Sequence, residues 1–261
     1  MEVSQELPVT RIEAGQRQAT TIAVVREGLV RLHVNGYELA TLMCSPCELD
    51  LLVLGFLRSE EMIAGLADVR LLKVCPSETC VEVWLRRGDW EPPARAIRTS
   101  GCGGGITFTD LSAAARPLVS ELRVTPRQLG RLMTAMLSTQ QKHGIHTSAL
   151  ADGESLLAVA EDVGRHNTID KLWGRCMVEG IATQDRILLC TGRISSEMLL
   201  KAARMGVPIV TSRTTPTSLA VALAEAWNVT LAGYVRRDSL NVYTAQERVV
   251  EDGKERTDAN S

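Results

Sequence analysis

The chain has 261 residues, 45% of them hydrophobic, with 29 Lys plus Arg against 31 Asp plus Glu. This is enough for one large folded domain or two modest ones, and a formal net charge of -2 supplies no global field for nucleic acid or an anionic membrane. The acidic start Met1 to Glu6 and the lack of any run of about 18 apolar residues argue against a leader or a membrane span, so a cytoplasmic protein is expected, with its seven cysteines reduced rather than in a disulfide framework.

The first elements read as antiparallel β structure: Thr21 to Val25, Val30 to Val34, and Tyr37 to Met43, with Asn35-Gly36 supplying a tight hairpin turn. Ser45-Pro46-Cys47-Glu48 has the form of a capping box and predicts a helix to about Ile63. Short strands follow at Val69 to Val74 and Val81 to Leu85, then a loop with Pro92, Pro93 and the run Ser100-Gly101-Cys102-Gly103-Gly104-Gly105. A second capping box, Thr125 to Gln128, opens a helix to about Gln140 whose stripe Leu129, Leu132, Met133, Met136, Leu137 is core. Strands at Thr147 to Ala151 and Leu156 to Ala160 and a helix from His166 to Val178 lead into an alternation: strand Ile187 to Cys190, helix Ser195 to Met205, strand Pro208 to Thr211, helix Pro216 to Trp227, strand Thr230 to Tyr234. Such alternation signals βαβ crossovers and a parallel sheet covered on both faces, an α/β fold. The organisation expected is a β-rich part over 1–124 carrying the Cys102 loop, an α/β cofactor-binding part over 125–247, and a disordered tail over 248–261.

Three groups of residues could carry chemistry. Cys102 sits among four glycines that leave its sulfur open and can aim backbone N–H groups at an anion, as a persulfide carrier would need, although a glycine-rich turn with an incidental cysteine has the same look. Arg193, Arg213, and Arg236 with Arg237 each follow a strand of the parallel sheet, so they should line one edge beside Ser and Thr hydroxyls and hold phosphate; solvated loop arginines are the plain alternative. The cluster Glu161 to Lys171 could use His166 as acid or base, Asp162 to orient it and Arg165 to hold an anion; equally, Asp162 could cap and Asp170 and Lys171 could be solvated surface. Cys44, Cys47, Cys75 and Cys80 are loosely spaced for zinc, so no structural metal is expected, and Cys176 and Cys190 read as core. No P-loop, dinucleotide fingerprint or Ser-His-Asp order is present.

Five segments together, Cys44 to Leu49 with Gly55-Phe56-Leu57, Ser100 to Gly103, His146 to Ala149, Glu161 to Asn167, and Thr191 to Met198, give a chain that resembles the formate dehydrogenase accessory sulfurtransferase family, FdhD, over about Thr20 to Thr244. The resemblance implies a cytidine-deaminase-like α/β catalytic domain and a persulfide on Cys102. It also implies binding of the bis-guanylyl molybdopterin molybdenum cofactor as sulfur acceptor, with guanine-nucleotide contacts over Tyr234, Val235, Arg236, Arg237, Asp238 and Ser239. Where many members have a second loop cysteine, this chain has Gly105, so any transfer rests on one thiol. The implied partners are a cysteine desulfurase and apo formate dehydrogenase, with a homodimer expected from base rates. A chaperone that carries the cofactor without chemistry would need the arginine edge and not the thiol.

Overall fold

The computed structural model describes residues 4–93, 97–98, 106–108, 116–140 and 144–251. Cys102 with its glycine run, and residues 252–261, lie outside the described residues.

The chain opens with an antiparallel pair, β1 (Ser4–Glu13) and β2 (Gln16–Val25), in continuous register from Ser4↔Val25 to Glu13↔Gln16. Only the end of this hairpin was anticipated. Its residues are mostly exposed on both faces, so no apolar alternation marks the strands; the turn is made by Ala14 and Gly15, both at positive φ.

A four-stranded sheet follows, in the order β4-β3-β6-β5, from β3 (Gly28–Val34), β4 (Tyr37–Cys44), β5 (Val69–Val74) and β6 (Cys80–Leu85). Asn35 and Gly36 turn at φ 48 and 85, as the Asn-Gly signature requires. Val30, Leu32, Val34, Val81, Val83 and Leu85 bury one face of this sheet against Leu52, Val53, Phe56 and Leu57 of α1 (Leu49–Ser59).

The start of α1 corrects the expected capping box. The residue before the helix is Glu48, in the left-handed region at φ 51 and making no side-chain cap. Ser45 is occupied elsewhere: its N–H donates to Asp162 Oδ2 at 3.1 Å and its Oγ accepts the Val163 N–H at 3.1 Å. The serine that looked like a cap for its own helix instead ties the end of β4 to Asp162 and Val163.

The second sheet has six strands in the order β10-β9-β11-β12-β13-β14: β9 (His146–Ala151), β10 (Leu156–Asp162), β11 (Ile187–Cys190), β12 (Ile209–Ser212), β13 (Thr230–Gly233) and β14 (Asn241–Val242). The expected crossovers make β11, β12 and β13 parallel, while β9, β10 and β14 pair antiparallel around them. Alternate residues face opposite layers. Ala149, Ala151, Ile187, Leu189 and Ile209 meet Leu129, Leu132, Met133 and Met136 of α2 (Pro126–Thr139). Leu150, Leu188, Cys190, Val210 and Leu231 meet α3 (Arg165–Glu179), α4 (Ser196–Arg204) and α5 (Ser218–Ala226). The Thr125–Gln128 capping box forms as read, with Gln128 N–H to Thr125 Oγ1 at 3.1 Å and Thr125 N–H to Gln128 Oε1 at 2.8 Å.

Helices α1 and α3 join the two sheets at a crossing that admits no Cβ. One added at Gly55 would collide with the Asp170 carbonyl, and one at Gly174 with the Leu51 carbonyl. Of the stretch 248–261 expected to be free, the first residues are packed: Arg248 is buried, and Val249 bridges Val124. A two-stranded ribbon, β7 (Ile97–Arg98) and β8 (Ile106–Thr107), brackets the segment 99–105.

Candidate functional site

The register of the six-stranded sheet brings the carboxyl ends of β11, β12 and β13 to one edge, where β9 begins: Cys190 lies opposite both Ser212 and Ser148. Two residues beyond Cys190, Gly192 is so enclosed that a Cβ would sit 3.1 Å from both Arg165 Cβ and His146 Nδ1, and its carbonyl accepts the Ser212 hydroxyl at 2.7 Å. Arg213 Nη1 donates to Val235 O at 3.2 Å, and Arg236 Nη1 donates to Arg213 O at 2.7 Å. The two guanidinium groups therefore share one corner. Desolvation, and then the charge of Arg236, push Arg213 below the usual arginine range. Arg193 is exposed on the same strand edge, and among the described residues no carboxylate forms an ion pair with Arg193, Arg213 or Arg236. Uncompensated cations beside hydroxyls and the first turns of α4 and α5 form an edge suited to phosphate.

The segment Tyr234 to Ser239 turns over this edge. Tyr234 is half-exposed with φ 54, an uncommon conformation for a bulky residue, and its N–H is tied to Thr214 O at 2.8 Å. Val235 is buried, whereas Arg237, Asp238 and Ser239 are exposed, and the Arg236 N–H closes the turn on Ser239 O at 2.8 Å. Gly130 of α2 supports it from below, where a Cβ would come within 2.8 Å of the Arg236 carbonyl.

His166 opens α3 at this edge, with Nε2 2.8 Å from Ser195 Oγ and 3.6 Å from Glu197 Oε2. Ser195 caps α4 by accepting the Met198 N–H, which leaves its own hydroxyl proton to donate to a neutral His166. Burial, opposed by Glu197, pushes His166 down to about 4. In the unfolded chain a histidine titrates near about 6.5, so between these values the unfolded state holds the extra proton and this group's contribution to stability falls as pH falls. Asp170, pushed up to about 6 mainly by burial, acts in the opposite direction. The His166 ring resonances should therefore show no titration by NMR between about pH 5.5 and 8; a midpoint near the free value would contradict a buried neutral ring.

Behind His166 runs a buried line of charge. Glu197 lies 3.7 Å from Lys201, Lys201 lies 2.5 Å from Asp170, and Ser59 Oγ donates to Asp170 Oδ1 at 2.9 Å. A second buried pair, Lys171 with Asp162 at 2.7 Å, is fully enclosed. Two of the alternatives open in the sequence are thus corrected. Asp170 and Lys171 are core rather than solvated surface, and Asp162 orients Lys171, Asn167 and the Ser45 backbone rather than His166. Arg165 is buried against Gly192. Sequence reading missed Glu197 and Lys201; the available signal was their i, i+4 spacing on either side of the apolar run Met198 to Leu200.

The ribbon that brackets Cys102 is anchored beside this line. Glu60 Oε2, one residue past α1, accepts the Thr107 hydroxyl at 3.1 Å and the Phe108 N–H at 2.8 Å, and Phe108 packs edge-on against Phe56 with ring centroids 6.4 Å apart. Glu60 is also one of the charges that act on Lys201. The β8 end of the ribbon is therefore held at a carboxylate that also acts on Lys201.

The model of the FdhD/NarQ family matches residues 25–250 of the chain. The chain belongs to the FdhD/NarQ family. It is 36% identical over 259 residues to "Sulfur carrier protein FdhD" of Staphylococcus aureus (strain MRSA252), covering 96% of this chain and 98% of that one. It is equally 36% identical over 257 residues to the protein of the same name from Staphylococcus haemolyticus, covering 95% and 97%. A crystal structure from Desulfotalea psychrophila, described as a "putative formate dehydrogenase accessory protein", superposes with a TM-score of 0.80 at 28% identity, covering 95% of this chain and 100% of that chain.

In this FdhD/NarQ chain the other cysteines differ sharply in setting. Cys44 is buried and pushed up to about 12, Cys190 likewise to about 12 and Cys176 to about 11, each mainly by burial. Cys47 lines a cavity of about 540 Å³ with Glu48, Glu161 and Arg175, and its Sγ is 3.6 Å from Lys171 Nζ. None of the strand-edge residues lines that cavity, so this hollow and the cationic edge are different places. Among the described residues no three His, Cys, Asp or Glu side chains converge as a metal site. The helices described include none long and apolar enough to cross a membrane.

Proposed function

We propose that this protein is a sulfur carrier for formate dehydrogenase, in which Cys102 takes a persulfide sulfur from a cysteine desulfurase and passes it to a molybdenum bis(molybdopterin guanine dinucleotide) substrate. The observation that carries the reading is the uncompensated arginine edge of Arg193, Arg213 and Arg236 lying beside His166 in a chain whose relatives are named sulfur carriers. The pyrophosphates of the substrate would meet the arginines, and the guanine would meet the turn from Tyr234 through Val235, Arg236, Arg237 and Asp238 to Ser239. The Cys102 thiolate attacks the terminal sulfur of the donor persulfide, forming one S–S bond as the other breaks and the donor thiolate leaves. That sulfur is at the oxidation level of the element. It leaves Cys102 as a free thiolate again when the reduced metal supplies two electrons. We assign no resident metal to the carrier, and place it in the cytoplasm as a homodimer working with the desulfurase and apo formate dehydrogenase.

The test is mass spectrometry of the full chain after incubation with a desulfurase and cysteine. The peptide containing Cys102 should gain one sulfur that dithiothreitol removes. A chain that still binds guanosine diphosphate yet gains no sulfur at Cys102 would leave cofactor delivery without chemistry as the better reading.

A further inference from the structure

A second pair of thiols lies in the four-stranded sheet, on the hairpin that joins β5 to β6. The register Val74↔Val81 continues to Cys75 opposite Cys80, with Cys75 N–H donating to Cys80 O at 3.0 Å. In a regular hydrogen-bonded pair the Cys80 N–H would return to the Cys75 carbonyl. Here that carbonyl accepts the Glu78 N–H at 2.9 Å, with Glu78 at φ 57. The Cys80 N–H is redirected onto Cys75 Sγ at 2.9 Å. Two hydroxyls also reach this sulfur, Ser77 Oγ at 3.3 Å and Thr79 Oγ1 at 3.9 Å. The tip is held in place by Arg31 N–H to Thr79 O at 2.9 Å and by the ion pair Arg26–Glu78 at 3.6 Å.

Convergent donors on one sulfur favour its anion, and both thiols are partly open to solvent. From this geometry we propose that Cys75 and Cys80 form a thiol–disulfide exchange site for small disulfides, Cys75 attacking and Cys80 resolving. Cα atoms of directly opposed strand residues stand about 5.5 Å apart, inside the disulfide range. In the first step the Cys75 thiolate attacks one sulfur of R–S–S–R, that S–S bond breaks, and RS⁻ leaves and takes a proton. In the second, Cys80 loses its proton and attacks the Cys75 sulfur, expelling the other RS⁻. The protein gives up two electrons and two protons, and the small disulfide becomes two thiols. Hydrogen bonds from Cys80 first and then Ser77 hold Cys75 down to about 6, and the bond between the two thiols raises Cys80, which matches the order of the two roles.

Trypsin releases both thiols on one peptide, Val74 to Arg86. Limited alkylation of the wild-type chain with iodoacetamide at about pH 6.5 should modify Cys75 at least about tenfold faster than Cys80. Glutathione disulfide should convert the peptide to its internally bridged form, two hydrogens lighter, and Cys80→Ser should stop at a glutathione adduct on Cys75. Sulfur loading at Cys102 should persist in Cys75→Ser, so the two thiol sites fail or succeed separately. Equal alkylation rates, an adduct that settles on Cys80, or a wild-type peptide that stays fully reduced would each overturn the proposal.

Discussion

A Cys102→Ala chain is expected to bind guanosine diphosphate as tightly as the parent and yet to support no formate dehydrogenase activity when it replaces the parent in cells. The loss should be complete rather than partial, because Gly105 stands where a second loop thiol could have taken over, and the remaining described cysteines are buried, or lie in the Cys47 cavity or on the Cys75–Cys80 hairpin. The arginine edge gives the reciprocal result. Arg236→Ala removes a guanidinium that is anchored on the Arg213 and Val235 carbonyls and has no carboxylate partner among the described residues. Losing one charge-assisted contact of about 1.5–3 kcal/mol should weaken nucleotide binding by about tenfold to a hundredfold. Sulfur loading of Cys102 should be unaffected. Calorimetric titration and the activity assay together separate the two variants, and wild-type activity from Cys102→Ala would remove the thiol from the mechanism.

The second large effect concerns Lys171. Its ammonium is enclosed with Asp162 at 2.7 Å and is further held by the Ser45 and Glu161 carbonyls, each at 3.3 Å. Lys171→Met keeps the length of the side chain but leaves a carboxylate buried without its counter-ion, which costs about 3–5 kcal/mol. Asp162 cannot be relieved of its other duties, because it also accepts the Ser45 and Gly164 N–H groups and the Asn167 amide. Asp162→Asn combined with Lys171→Met should recover part of the loss, since no bare charge remains, but not all of it, because the amide NH2 that replaces Oδ2 meets the Ser45 N–H. Urea unfolding of Lys171→Met, Asp162→Asn and the double variant measures the coupling. A single Lys171→Met chain as stable as the parent would mean that the pair is not enclosed in solution.

The parallel half of the fold was readable because β11, β12 and β13 are short apolar runs, Ile187 to Cys190 among them, separated by helices with capping serines and threonines. The arginine edge followed from topology alone, and the structure joins Arg213 to Arg236 there. The β1–β2 hairpin was illegible for the opposite reason: with both faces exposed, its sequence carries no periodicity. Ser45 misled because Ser-Pro-x-Glu is a local signal, whereas its partners, Asp162 and Val163, lie more than a hundred residues away in the chain. The buried line from His166 to Asp170 was hidden because Glu and Lys are ordinarily surface residues, and only the fold reveals that α3 and α4 turn these side chains inward. The candidate transfer thiol itself was singled out from its glycine neighbours, not from any contact.

The glycine-to-carbonyl crossing of α1 and α3 has a consequence for how the molecule comes apart. Each helix closes the core of a different sheet, and with backbone packed on backbone at Gly55 and Gly174 neither sheet can shed its cover without stripping its neighbour's. Differential scanning calorimetry should accordingly record one cooperative endotherm, with van't Hoff and calorimetric enthalpies in agreement, rather than two successive meltings.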